Sequence, residues 1–306
     1  MRYVVIGVLS LFLYTSIMSQ ESNKVIQRIN SKKIFSNDRE LNEWISLCKG
    51  DTATLVNSLV LSRLDSLPVE KLTSSLYLIK NIALKKSSYK VKNSAVKLFL
   101  FTIKSKYSVV STLSVKALNS FSGKYYDVTS IDSLSSILKN SKKLYLDAVI
   151  IAGCTDNQIF IERIKQQFPN SRSFTKQERW ATYKALARLG DKESLDYCLQ
   201  RISSIPLNDQ VVDVLYPDLI YIHKKEAFSL IIKALYNDEK LCSSTNPNSS
   251  QNMVCGYRLI ELISPFIKNF PIKLLPSGDL DVKDYSKALK DVRDWFNNVK
   301  DSYEII

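Results

Sequence analysis

Histidine is almost missing from this chain: His223 stands alone in 306 residues. That excludes metal sites built from several imidazoles, and any Ser-His-Asp or Cys-His centre would have to use this one ring. His223 opens the basic run His223-Lys224-Lys225 at an expected inter-helix turn, which reads as a surface or capping position. No Cys-x-x-Cys pair offers zinc spacing, and no Gly-x-Ser-x-Gly, phosphate-cradling glycine loop or dinucleotide fingerprint is present. The sequence therefore gives no reason to expect a catalytic residue, a metal or a cofactor. The carboxylate pairs Asp209/Asp213 and Asp291/Asp294 sit at helical spacing and read as solvated faces.

Glycine and proline are also scarce, at 7 and 8 residues, and few stretches alternate apolar and polar with period two. That combination predicts an all-α chain. Helices are expected over 38–48, 51–64, 69–86, 89–105, 108–121, 130–139, 142–153, 156–167, 175–189, 192–204, 209–222, 225–236, 254–268 and 282–299. Pro217 and Pro265 fall inside two of these spans, where the missing N–H predicts a kink or a break.

The segment Glu178 to Ile202 reads as a complete helical repeat. Ala181, Ala185, Leu186 and Leu189 share one face of a first helix; Gly190 supplies the conformation that ends it. Asp191 can cap a second helix, on which Leu195, Leu199 and Ile202 continue the spacing. Two helices joined so tightly cannot bury both apolar faces alone, so they call for stacked neighbours. Lys116–Lys124 matches Lys184–Lys192 almost position for position with the glycine displaced by one, and Ala148–Asp156 has a similar helix end. The steps from Ala117 to Ala148 to Ala185 to about Leu219 are roughly 31 to 37 residues, a solenoid period. A non-repeating helical domain is the alternative. In its Ala-Leu-x-x-Leu-Gly-Asp core the segment 176–202 resembles the short bacterial form of the HEAT-like repeats. The resemblance is degenerate at 108–139, 142–167 and 208–236. It implies an α-solenoid of stacked antiparallel helix pairs with a binding or scaffolding role, and such repeats serve many unrelated partners. On this reading the solenoid covers 37–280. Residues 281–306 form a C-terminal capping helix, with Tyr285, Leu289, Val292, Phe296 and Val299 on one face.

Arg2, the apolar run Tyr3–Met18 and an abrupt polar exit at Ser19 read as a secretory signal peptide over 1–19, followed by a flexible lead-in over 20–36. An uncleaved anchor is the alternative, but a helix of roughly 16 residues spans only ~24 Å, short of a ~30 Å hydrocarbon layer. The expected location is periplasmic or extracellular. An oxidising compartment favours a disulfide between Cys242 and Cys255, which flank a polar loop; Cys198 lies close to an apolar helix face, and Cys48 and Cys154 are unassigned.

From Lys71 through Tyr126 the chain carries no acidic residue. If 86–104 is helical, Lys86, Lys90, Lys97 and Lys104 fall within about 40° of one face, with Phe101 beside them. This basic stripe is the candidate binding surface for phosphates, anionic polysaccharide or an acidic protein, set against an ordinary solvated lysine face. The missing arginine argues against bidentate base recognition. The favoured function is a non-catalytic exported module that binds a protein partner through its solenoid surface. A binder of anionic polymer or membrane headgroups through the stripe comes second. An enzyme resembling the HEAT-like DNA glycosylases comes third, because export would separate the chain from chromosomal DNA.

Overall fold

The computed structural model describes residues 68–85, 88–167, 173–244, 251–275, 277 and 279–306. The signal segment 1–19, the lead-in 20–36, the helices expected at 38–48 and 51–64, Cys48 and Lys86 lie outside the described residues. What is described is mostly helical, with a single two-stranded ribbon, and no helix there is long and apolar enough to cross a membrane. The chain divides at Thr155/Asp156 into two compact units.

The first unit holds α1 (Val69–Lys85), α2 (Tyr89–Thr102), α3 (Ser108–Leu118), α4 (Val128–Asn140) and α5 (Tyr145–Cys154). Contacts run between neighbours and next neighbours: α1 with α2 and α3, α2 with α3 and α4, α5 with α3 and α4. Leu76, Ile79, Phe99, Leu118, Leu134 and Ile151 are fully buried between them. Each such side chain contributes roughly 1.5–3 kcal/mol relative to exposure. The face of α2 opposite the lysines is the buried one, through Val91, Ala95, Leu98, Phe99 and Thr102. Thr102 stays satisfied there by bonding to the Leu98 carbonyl at 3.0 Å and sharing a 2.8 Å hydrogen bond with Ser114.

The likeness between 116–124 and 184–192 does not extend to the turn. α3 ends at Leu118 with Asn119 still right-handed, and Gly123 instead begins a 3-10 turn over Gly123–Tyr125. What requires glycine at 123 is proximity: a Cβ there would lie 1.7 Å from the Thr155 carbonyl oxygen and 2.3 Å from its carbon. Ala117, Ala148, Ala185 and Leu219 are all inaccessible to solvent.

The second unit holds α6 (Ile159–Lys165), α7 (Lys176–Leu189), α8 (Lys192–Ser203), a π-turn (Val211–Leu215), α9 (Tyr216–Ile222), α10 (Lys225–Ala234), strands β1 (Cys242–Ser243) and β2 (Asn252–Met253), α11 (Gly256–Ile263) and α12 (Tyr285–Val299). Here too neighbours and next neighbours pack: α7 with α8 and α9, α10 with α8 and α9, α11 with α10 and α12. α7 opens on a reciprocal capping box between Thr175 and Glu178. It closes at Gly190, which has φ 101°, and the Asp191 amide donates back to the Leu186 carbonyl at 2.9 Å. The Asp191 carboxylate then caps α8 by accepting from the Ser194 amide at 3.1 Å.

Both internal prolines act at breaks. The span expected at 209–222 is split, with a π-turn ahead of α9 and Pro217 in the first turn of that helix, where its missing N–H costs little. The span 254–268 is cut short at Ile263, and Pro265 sits in the 3-10 turn Ser264–Phe266. The helix expected at the C-terminus is present as α12, with Leu289, Val292 and Phe296 buried and Tyr285 and Val299 half-buried.

Cys242 and Cys255 form a disulfide with Cα atoms 5.1 Å apart, both side chains buried at the base of the β1–β2 ribbon. The ribbon is tied to the body by Asp209, which accepts from the Ser243 amide at 3.0 Å and hydroxyl at 2.7 Å. Arg258 clamps Asp209 and Asp213 together. These carboxylates were expected as a plain solvated face; they are half of a guanidinium-centred lock.

Candidate functional site

The lysine stripe is rearranged relative to the helical expectation. α2 ends at Thr102: the Ile103 amide still donates to the Phe99 carbonyl at 2.9 Å, but the Lys104 amide turns to the Phe101 carbonyl at 3.4 Å, so Lys104 lies past the helix that carries Lys90 and Lys97. Lys97 reaches 2.6 Å from Asp127, the residue that caps α4. Burial alone would raise the Asp127 carboxyl, but hydrogen bonds from Lys97, Ser130 and Thr129 outweigh it and hold the group well below the usual carboxylate range. Lys97 is therefore a tie between helices as much as a surface charge. Lys90 is exposed near the start of α2, and Phe101 is 57 % exposed near its end, three turns away. Lys104 lines a different feature, a pocket of about 370 Å³ shared with Lys143, Ser105, Ser111, Ser136 and Asn140.

A cation–aromatic cluster that the stripe did not include forms nearby in the same unit. Lys92 donates to the Tyr125 hydroxyl at 3.3 Å and lies 4.9 Å from its ring centre, while Tyr89 packs on that ring at 5.8 Å. The Lys92 hydrogen bond, aided by the charge of Lys124, holds the Tyr125 phenol below its ordinary value.

The second unit carries the better-formed site. Along α7, Lys176, Arg179, Trp180 and Tyr183 recur at helical steps; along antiparallel α8, Tyr197 and Arg201 are one turn apart. Together they line a groove of about 530 Å³, with Gln177 at its side and Ile202, Ile205 and Leu215 supplying apolar surface. Among the described residues no carboxylate belongs to its lining. Tyr183 and Tyr197 pack with ring centres 4.2 Å apart, Trp180 lies 6.4 Å from Tyr197, and the Arg201 guanidinium stands 5.9 Å over the Trp180 ring. The indole is fixed from behind, since its Nε1 donates to Asp218 at 2.5 Å while Lys184 pairs with the same carboxylate. Arg179 is steered by donating to the Phe174 carbonyl at 2.8 Å. Among the described residues, Lys176 and Arg201 have no carboxylate partner.

Beyond the Tyr183–Tyr197 pair the same helices line a second hollow of about 580 Å³, and its charge is different. Asp191, Glu193 and Ser194 enter it, with Lys165 bound to Asp191 at 2.5 Å. The tyrosine pair thus divides a wholly cationic compartment from a mixed one.

The chemistry-bearing residues that remain are structural. His223 has φ 56° and ends α9, its amide donating to the Ile220 carbonyl at 3.1 Å. Burial, then the charge of Arg188, lowers its imidazole pKa. Cys198 is fully buried and its thiol is pushed up to about 12 by desolvation, which leaves it a poor nucleophile. Cys154 is half-buried. Among the described residues no group of His, Cys, Asp and Glu is placed to hold a metal ion. No protein-family model matches the chain, and no curated protein is similar enough to count as a match.

Proposed function

We propose that this chain is a non-catalytic, exported interaction module, a HEAT-like α-solenoid that binds a protein partner through its repeat surface. The α7–α8 groove carries that reading. It joins unpaired cations, a preset indole and apolar surface in one place, the mixture found at energetically dominant protein contacts, where Trp, Tyr and Arg are enriched. Packing between neighbouring and next-neighbouring helices, and the buried phase of Ala117, Ala148, Ala185 and Leu219, support the stacked-pair arrangement. The buried disulfide supports an oxidising compartment.

The test is capture from the native envelope fraction with wild-type chain and with Trp180→Ala/Arg201→Glu, checked for equal helicity. A protein retained by the first and lost by the second supports the proposal; equal retention contradicts it. Anionic polymer or membrane headgroups form a second reading, favoured by exposed Lys90 and by the Lys104–Lys143 pocket. In that case Lys90→Glu/Lys104→Glu, and not the groove variant, abolishes binding to heparin or anionic vesicles.

A further inference from the structure

Resting on the proposal that α7–α8 recognises protein, we infer that its occupant is a short acidic peptide segment that carries an apolar anchor side chain next to its carboxylates. The groove asks for both. Lys176, Arg179 and Arg201 line it with no carboxylate among the described lining residues, so an uncharged guest would leave three cations uncompensated. Arginine presents a planar fork suited to carboxylates. Between the cations, Trp180 and the Tyr183–Tyr197 pair offer ring surface, and Trp180 needs little reordering because Asp218 already holds its indole N–H. Preset aromatic area of this kind gains affinity by avoiding the cost of ordering side chains on binding.

Size agrees with a peptide. Lys176 to Tyr183 is seven residue steps along α7, about 10 Å along the helix. An extended chain covers that length with about three residues. The groove of about 530 Å³ is adequate for one anchor and its neighbours.

Charge beyond the tyrosine pair separates this ligand from a uniform polyanion. A sulfated glycan or single-stranded nucleic acid following the helix pair would pass from the cationic compartment into the hollow where Lys165 is taken up by Asp191 and Glu193 stands beside them. Repeating negative charge is repelled there, whereas a segment acidic at one end and neutral or basic at the other matches both compartments. The groove therefore also sets a direction: the guest's acidic end lies by Lys176 and Arg201, and the other end lies by Glu193.

The experiment selects a displayed library of random eight-residue peptides on the full mature chain, then measures the enriched peptides by fluorescence anisotropy. Wild-type protein is expected to enrich sequences with an apolar residue adjoining Asp or Glu. Arg201→Glu should weaken them at least about 10-fold, as expected when a contacting charge is reversed. Arg201→Gln should weaken them less, and Glu193→Lys should weaken those with a basic far end. Arg201 is exposed, and matched thermal melts establish that its variants remain folded. Enriched peptides with no acidic bias that still depend on Trp180 would overturn this inference and leave the protein-binding proposal standing. No Trp180-dependent peptide, together with Arg201-dependent binding of heparin or single-stranded DNA, would overturn both.

Discussion

Replacing Gly123 by alanine should damage the protein more than replacing Gly190, although the sequence marks Gly190 as the turn residue. At Gly190 nothing lies within 4 Å of an added Cβ, so the cost of alanine is conformational and arises from φ 101°. Holding a residue with a side chain in that region costs about 1–2 kcal/mol. At Gly123 an added Cβ would lie 1.7, 2.3 and 2.7 Å from the oxygen, carbonyl carbon and Cα of Thr155. All are backbone atoms, so no side-chain rotation relieves the overlap, and the 3-10 turn must move away from the end of α5. Overpacking typically costs 1–3 kcal/mol and more where backbone must shift, so about 3 kcal/mol or above is expected. Urea unfolding followed by helical circular dichroism gives both values, with Gly123→Ala showing the lower midpoint or failing to accumulate folded. Equal midpoints, or a lower one for Gly190→Ala, would refute the close approach of the Gly123 turn to Thr155.

Other expectations follow from the same contacts. Lys97→Glu should destabilise by about 1 kcal/mol, because it sets a second carboxylate beside the Asp127 cap; chemical denaturation measures it. Removing the disulfide with Cys242→Ser/Cys255→Ser should cost about 3 kcal/mol in the chain-entropy account, measured by the same titration. Stability should fall in two stages on acidification. His223 has a lowered folded pKa, so the unfolded chain takes up a proton first as pH drops below about 6.5. Asp209, held down first by the Ser243 hydroxyl, and Asp191, where Lys165 and Ser194 outweigh burial, are both depressed as well. Their contribution is complete above about pH 4 and is lost as pH falls through their folded values. His223→Asn, which tolerates the left-handed cap, should flatten the upper stage alone; a wild-type melting temperature constant from pH 7 to 5 would contradict it.

Local chemistry was legible where it acts over a few residues. Gly190, Asp191 and the apolar spacing gave the α7–α8 pair nearly to its observed ends, because cap and turn are written within one helical turn of each other. Pro217 and Pro265 likewise announced their breaks. Contacts between distant residues were not legible. Lys97 reads as one more exposed lysine until Asp127, thirty residues on, is brought to it by the α2–α4 packing. Asp209 and Asp213 look solvated until Arg258 arrives across the disulfide ribbon. The groove left a faint signal, aromatic and basic residues at helical steps on both helices of one hairpin. Only the antiparallel pairing of α7 and α8 turns those two rows into a single site.

The central claim is most directly tested by placing a photo-crosslinking amino acid at Tyr197, between the two compartments, in the full chain expressed in its native host. The crosslinked segment is then sequenced by mass spectrometry. The account predicts attachment to a protein segment with an apolar residue beside Asp or Glu, abolished in the Arg201→Glu background. Attachment that persists in that background, or to a glycan or nucleic acid, would contradict it.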